Sequence, residues 1–257
     1  MIKWPFKKKN KAPEFKTNLI ALAEVDSTNS YLRQYTPATD ENMTVVSADF
    51  QTAGRGQGTH TWESERGKNL LFSILTHPIT MPLRSQFILS EAGALALKEV
   101  LDTYTDDISL KWPNDIYWKN RKLSGTLIET SIAGGHIKNC IFGIGLNVNQ
   151  QTFESDAPNP VSLFQILGHE VDRESLLKQI ITAFTKYHEM AVNGQHGDIS
   201  ARYHEALYRR HGFHAYEDKD GCFEAAIVEV GDDGLLVLRD QEGRFREYEF
   251  KEVKFIN

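Results

Sequence analysis

Cysteine is scarce in this chain: Cys140 and Cys222 are the only two among 257 residues. Two thiols so far apart supply neither a disulfide framework nor a metal-ligand pattern. Both read as free, buried small hydrophobes of a protein held in a reducing cytosol. Positive charge is also in deficit, with 29 lysines and arginines against 35 aspartates and glutamates and a net charge of −6. That balance argues against a general nucleic-acid binder, because phosphate contacts need a basic face; it leaves room for a small basic pocket. Long hydrophobic runs are missing. Residues 1–11 carry Lys7, Lys8 and Lys9 without the apolar core of a signal peptide, and with Trp4 and Phe6 they read as a solvated tail. No window approaches a membrane span, so a cytoplasmic location is expected. There are no internal repeats. The nine histidines form no metal-ligand spacing, and His136, His169, His188, His196, His204, His211 and His214 read as surface residues. No Ser-His-Asp or Cys-His arrangement can be argued.

What is present is enough apolar sequence, 40% of residues, for a real core. Apolar strand-like runs fall at residues 19–25, 43–50, 70–76 and 108–118, and at 122–132 and 136–148 around the hairpin signal Ala133, Gly134 and Gly135. Asp26, Ser27, Thr28 and Asn29 are suited to cap a short helix. Leu83, Phe87, Ala94, Leu97, Leu101 and Tyr104 share one face of a helix expected over residues 82–104, with Pro82 in its first turn. Residues 161–167 suggest a short helix. Leu176, Leu177, Ile180, Ile181, Phe184, Tyr187 and Ala191 mark a long amphipathic one ending near Gly194, and residues 199–207 suggest another. After Gly212 three short strands, at residues 223–230, 235–239 and 245–250, alternate with turn pairs such as Asp233 and Gly234, which suggests a small antiparallel barrel.

Four segments could carry chemistry. Residues 51–62 place Gly54, Gly56 and Gly58 at alternate positions around Arg55, which frees backbone N–H groups to point at an anion. Thr59 stands where a dinucleotide fingerprint needs its third glycine, and the lysine and hydroxyl of a phosphate-binding P-loop are missing. Lys111, Trp112, Pro113, Asn114 and Asp115 form a turn that holds a cation, an amide and a carboxylate together. Lys122 and Gly125 lie at the start of a strand. Gly143 and Gly145, followed by Asn147, interrupt a β-run, as where a ligand approaches the backbone. Each has a bland alternative in a surface loop, a plain turn, a solvated lysine or a bulge.

The order of these motifs, from Asp26–Asn29 as numbered positions 26–29 through residues 51–62, 111–115 and 122–125 to 143–147, resembles the biotin–protein ligases. The resemblance implies an α+β fold: a mixed sheet with flanking helices, like the class II aminoacyl-tRNA synthetases in outline, plus a small C-terminal SH3-like β-barrel. It divides the chain into a tail (1–18), a catalytic domain (19–211) and the barrel (212–257). It implies ATP-dependent formation of biotinyl-AMP, with Mg2+, and transfer of biotin to a lysine of a biotin carboxyl carrier protein. Lys122 and Arg55 are then the catalytic cations. Ser27, Thr28, Asn29, Gln51, Gly54, Arg55, Gln57, Lys122, Gly125, Gly143 and Gly145 border biotin. Arg55, Trp62, Lys111, Asn114, Lys122 and Asn147 border ATP, and Asp115 is a candidate for the metal. Many relatives carry a second arginine where Gln57 stands, and further basic residues near Thr59 and His60. Lipoate ligases and octanoyltransferases share the fold but expect other loop motifs. A homodimer is compatible with the resemblance; sequence-specific DNA binding is not expected.

Overall fold

The computed structural model describes residues 15–39, 41–58, 60–78, 81–154 and 159–256. The lysine-rich tail and Thr59 lie outside the described residues. Seven strands, β1 (Thr17–Leu22), β2 (Met43–Ala48), β3 (Leu70–Thr76), β4 (Ile108–Lys111), β5 (Asp115–Trp118), β6 (Arg121–Ala133) and β7 (His136–Leu146), build one mixed sheet. Its order is β1-β2-β3-β7-β6-β5-β4, with β1 and β2 parallel and the other neighbours antiparallel.

Alternation along the strands sorts the two faces. On β7, Cys140, Phe142, Ile144 and Leu146 enter the main core with helices α2 (Gln86–Leu101), α4 (Arg173–Val192) and α5 (His196–Glu205). Phe142 meets Phe184 edge-on at 4.9 Å between ring centroids. Burying each such ring stabilises the fold by roughly 1.5–3 kcal/mol. Ile141 points the other way, to a smaller cluster with Leu32, Val46 and Leu75 beneath α1 (Thr28–Gln34). Gly143 and Gly145 also lie on this second face, where they leave a depression.

The helix expected from residue 82 begins later. Leu83–Ser85 form a single 3-10 turn after Pro82, and α-helical bonding starts at Gln86. The short helix α3 (Leu163–Leu167) is closed at both ends by local chemistry: a capping box between Ser162 and Gln165, and Gly168 in the left-handed conformation at φ 78°. Three readings of burial are corrected. Cys222 is exposed, and only Cys140 is buried. His188, expected at the surface, is 7% exposed on the inner face of α4, where it stacks on Phe184. Burial, reinforced by His77, pushes its imidazole down to about 4, so it sits neutral in the core. His204 is half-buried and accepts the Val230 N–H on Nε2 at 2.8 Å.

The C-terminal region is a five-stranded antiparallel sheet of β8 (His214–Asp218), β9 (Gly221–Val230), β10 (Leu236–Asp240), β11 (Phe245–Tyr248) and β12 (Lys254–Phe255), in the order β11-β10-β9-β8-β12. The sequence pattern had signalled only the middle three. Tyr216, Ile227, Leu236 and Val253 belong to the same apolar cluster as α2 and α4. The Trp112 indole donates to Gly234 O at 2.9 Å, and Arg209 donates to Ala215 O and Ile256 O at 3.1 and 2.7 Å. The second sheet is therefore seated firmly beside the 111–115 turn. Among the described residues no helix is long and apolar enough to cross a membrane.

Candidate functional site

The depression on the second face is the floor of a cleft of about 840 Å3. Its shape follows from strand register. Gly125 on β6 lies directly across from Gly145 on β7, and Leu127 across from Gly143. Three of these four facing positions lack a side chain, so a ligand can approach the backbone. Lys122 reaches the same floor because of an irregularity. Ile116 pairs with Ser124, but Tyr117 pairs with Lys122, which leaves Leu123 as an extra residue on β6. In a regular strand residues 122 and 125 would face opposite sides; the bulge brings both to the cleft. A Cβ placed on Gly125 would stand 3.2 Å from Lys122 Nζ. The ammonium is held by Asp115 at 2.7 Å.

One end of the cleft is a polar network. Gln51 Oε1 accepts from the Thr28 N–H at 2.7 Å and from the Thr28 hydroxyl at 3.0 Å. The Ser73 hydroxyl lies 2.6 Å from Thr28 Oγ1 and 2.5 Å from Asn29 Oδ1. Asn29 Nδ2 donates to Glu129 at 3.0 Å. Burial alone would raise the Glu129 carboxyl; the hydrogen bonds from Arg33 and Asn29 outweigh it and hold it below the usual carboxylate range. Ser27 occupies the N-cap position of α1, but its side chain makes no capping bond. Its hydroxyl borders the cleft and has no partner among the described residues, so it is free for a ligand. Gly143 is required here because a Cβ on it would come within 2.2 Å of Asn29 Oδ1. Sequence reasoning missed Ser73 and Glu129. A signal for Ser73 was present, as one of two hydroxyls, with Thr76, in the buried run of β3.

The segment 51–62, which reads as a loop, folds back on itself. Trp62 N donates to Gly54 O at 3.1 Å, and Gly56 N to His60 O at 2.7 Å. This small hairpin lays the Trp62 ring on the glycine floor, where a Cβ on Gly145 would be 2.3 Å from its Cε2. The indole Nε1 is buried without a partner among the described residues. Arg55 lies 3.8 Å from Glu129. Arg55 and Gln57 line the cleft; Gly54 does not, and supports the hairpin from behind, 3.0 Å from Trp62 O at its missing Cβ.

Toward the other end stand Lys111, Asn114 and Asn147. Asn114 Nδ2 donates to Thr126 O. Asn147 Nδ2 donates to Val161 O at 3.1 Å, while its Oδ1 is buried and unpaired among the described residues. Such an orphan acceptor at a cleft wall is a ready ligand contact. Lys111 donates to Tyr117 OH at 2.9 Å and lies 5.1 Å from the centre of the Phe255 ring. Burial pushes its ammonium down to about 8; Asp115 opposes the shift, and the charges of Lys122 and Arg209 add to it. Val253, Lys254 and Phe255 of the C-terminal segment complete this wall, a contribution the sequence did not announce.

A mixed sheet whose glycine floor and two lysines meet a polar end, with a small antiparallel sheet at the mouth, makes an α+β fold built around one cleft. The solved biotin protein ligase of Aquifex aeolicus in complex with biotin and ATP superposes with a TM-score of 0.76 at 27% identity, covering 93% of this chain and 99% of that one. The profile of the biotin/lipoate A/B protein ligase family matches residues 21–147, just under half of this chain. The bifunctional ligase/repressor of Bacillus subtilis is 30% identical over 209 residues, 78% of this chain and 62% of that protein. The biotin–[acetyl-CoA-carboxylase] ligase of Paracoccus denitrificans is 29% identical over 87% of this chain and 95% of its own length. The chain thus spans 62% of the Bacillus relative and nearly all of the Paracoccus one.

Proposed function

We propose that the protein is a biotin–protein ligase. It joins biotin to AMP at the expense of ATP and passes the biotinyl group to a lysine of a carrier protein of a biotin-dependent carboxylase. The observation that carries biotin over lipoate is the polar end of the cleft. Biotin's ureido ring offers two N–H groups and a carbonyl, which suit the free Ser27 hydroxyl and the Thr28, Asn29 and Gln51 network. Lipoate's dithiolane has no such groups and would leave the Ser27 hydroxyl and the network's remaining hydrogen-bonding positions desolvated and unmet, a mismatch that can cost a site 10⁴–10⁵-fold in preference.

In the first step an oxygen of the biotin carboxylate attacks the α-phosphorus of ATP, and the bond to pyrophosphate breaks. Lys122, between the polar end and Lys111, offsets the repulsion between two anions. Trp62 and its hairpin cover the floor and exclude water from the mixed anhydride. In the second step the neutral ε-amine of the carrier lysine attacks the acyl carbon, the bond to AMP breaks, and the amine gives up a proton as the amide forms. Magnesium accompanies ATP in this reading, and the described residues build no cage for it. Asp115 is committed to Lys122, and among the described residues no three histidine, cysteine or acidic side chains gather to hold an ion. The ion would enter on the phosphates.

Two expectations follow. Biotin should support exchange of labelled pyrophosphate into ATP and lipoate should not; exchange with lipoate and none with biotin would reverse the assignment. Secondly, kcat/KM for ATP should fall as pH rises through about 8. The Lys111 ammonium, depressed from its ordinary value, loses its proton there in the free protein, and the neutral amine no longer attracts phosphate. Lys111→Met should lower kcat/KM for ATP below pH 8 and flatten that limb. A limb that survives in Lys111→Met belongs to another group.

A further inference from the structure

The turn between β11 and β12 reaches back over the cleft and carries Lys251 into its lining. Lys251 has φ 74°, a left-handed conformation that a residue with a side chain keeps only where its surroundings over-determine it. Its ammonium rests against Gly58 of the 54–62 hairpin: a Cβ on Gly58 would lie 2.5 Å from Lys251 Nζ. Gly58 itself has φ 65°, so glycine at this position serves both the turn and the approach of the lysine.

The other cations at the cleft are engaged. Lys122 is paired with Asp115, Arg55 faces Glu129, Lys254 faces Glu217, and Lys111 is bonded to Tyr117. Lys251 has neither a carboxylate nor a hydrogen-bond partner among the described residues. Adenylation releases a highly charged pyrophosphate, and Arg55 is the one permanent cation in the sequence of residues 54–62. We infer that Lys251 is a polyphosphate-binding residue of the nucleotide subsite, delivered across the hairpin by the C-terminal sheet. This inference rests on the ligase reading. A compact charge on a flexible stem can follow phosphates that shift as the bond to the α-phosphorus breaks.

Biotin-dependent pyrophosphate exchange by the full chain tests it. Lys251→Met should raise KM for ATP about tenfold, the value of one charge-assisted contact. It should weaken inhibition by inorganic pyrophosphate by a similar factor and leave KM for biotin and the melting temperature unchanged. Lys251→Arg should retain most of the ATP affinity, since a guanidinium also binds phosphate. An unchanged KM for ATP and unchanged pyrophosphate inhibition in Lys251→Met would overturn the inference. So would parallel losses for biotin and ATP, which would mark a strut holding the hairpin. If the wild-type protein shows no exchange with biotin, the ligase reading fails and this one falls with it; if the wild type is active, the variant decides alone.

Discussion

Lys122→Ala is expected to lower the rate of biotin adenylation by about 10²–10³-fold. In the proposed reaction negative charge gathers around the α-phosphorus as the carboxylate oxygen approaches, and an ammonium beside both groups would stabilise that state more than the separated reactants. The structure adds a second penalty. Lys122 Nζ lies 2.7 Å from Asp115, so removing it leaves a bare carboxylate in the cleft, and in the proposed reading, which seats biotin's carboxylate there, biotin binding should weaken too. Lys122→Arg should not restore the rate. The lysine stem already runs within 3.2 Å of where a Gly125 Cβ would be, with the Trp62 ring above the same glycine, and a planar guanidinium needs more room. The melting temperature should hardly move, because Lys122 belongs to the cleft and not to the apolar core. Single-turnover formation of biotinyl-AMP, followed by mass spectrometry, reads the effect directly. A near-wild-type rate in the alanine variant would remove Lys122 from the chemistry, and an unfolded variant would make it a structural residue.

Gly145→Val should be at least as damaging, for a steric reason. A Cβ at position 145 would stand 2.3 Å from Trp62 Cε2 and 2.7 Å from two further ring carbons. The ring has to leave the floor, and the 54–62 hairpin leaves with it. Displacing reacting groups by even 1 Å can cost on the order of 10²-fold, and here the water-excluding cover is lost as well. The strand should survive, since valine suits a β-strand, so circular dichroism should remain that of the folded protein while adenylation collapses. Gly197→Ala is the control: a Cβ there meets nothing within 4 Å, and activity should be unchanged. Trp62→Ala in the Gly145→Val background should recover part of the biotin binding by removing the clash. A Gly145→Val enzyme with normal kinetics would show that Trp62 does not work from the position seen here.

Much of the secondary structure was legible because local pattern and tertiary role agree. The run of residues 70–76 is strand β3 to the residue, the Gly134 and Gly135 signal marks the β6–β7 hairpin, and the short helix expected at residues 161–167 is α3. Where the pattern was weak, it failed. β8 reads as polar, and β12 is two residues long and exists only by pairing Lys254 with Glu217 and Phe255 with Tyr216. His188 reads in the sequence as a surface histidine, yet it lies on the buried stripe of α4, stacked on Phe184.

By itself the sequence determined which chemical groups are available and in what order: glycines at 125, 143 and 145, a hydroxyl and amide cluster at 27–29 with Gln51, and cations at 55, 111 and 122. Side-chain type and glycine's freedom are local properties, so one dimension suffices to read them. Only the tertiary structure decided which of them meet. The extra residue at Leu123 turns Lys122 onto the glycine floor, a cross-strand register no spacing rule reveals. Ser73 joins the polar end from a strand, and Glu129 gathers Asn29 and Arg33 from α1 and Arg55 from the hairpin. Lys251 arrives from the far end of the protein. Contacts between residues tens to nearly two hundred positions apart depend on pairing register and sheet packing, and those are settled by the burial of the whole core rather than by any segment alone.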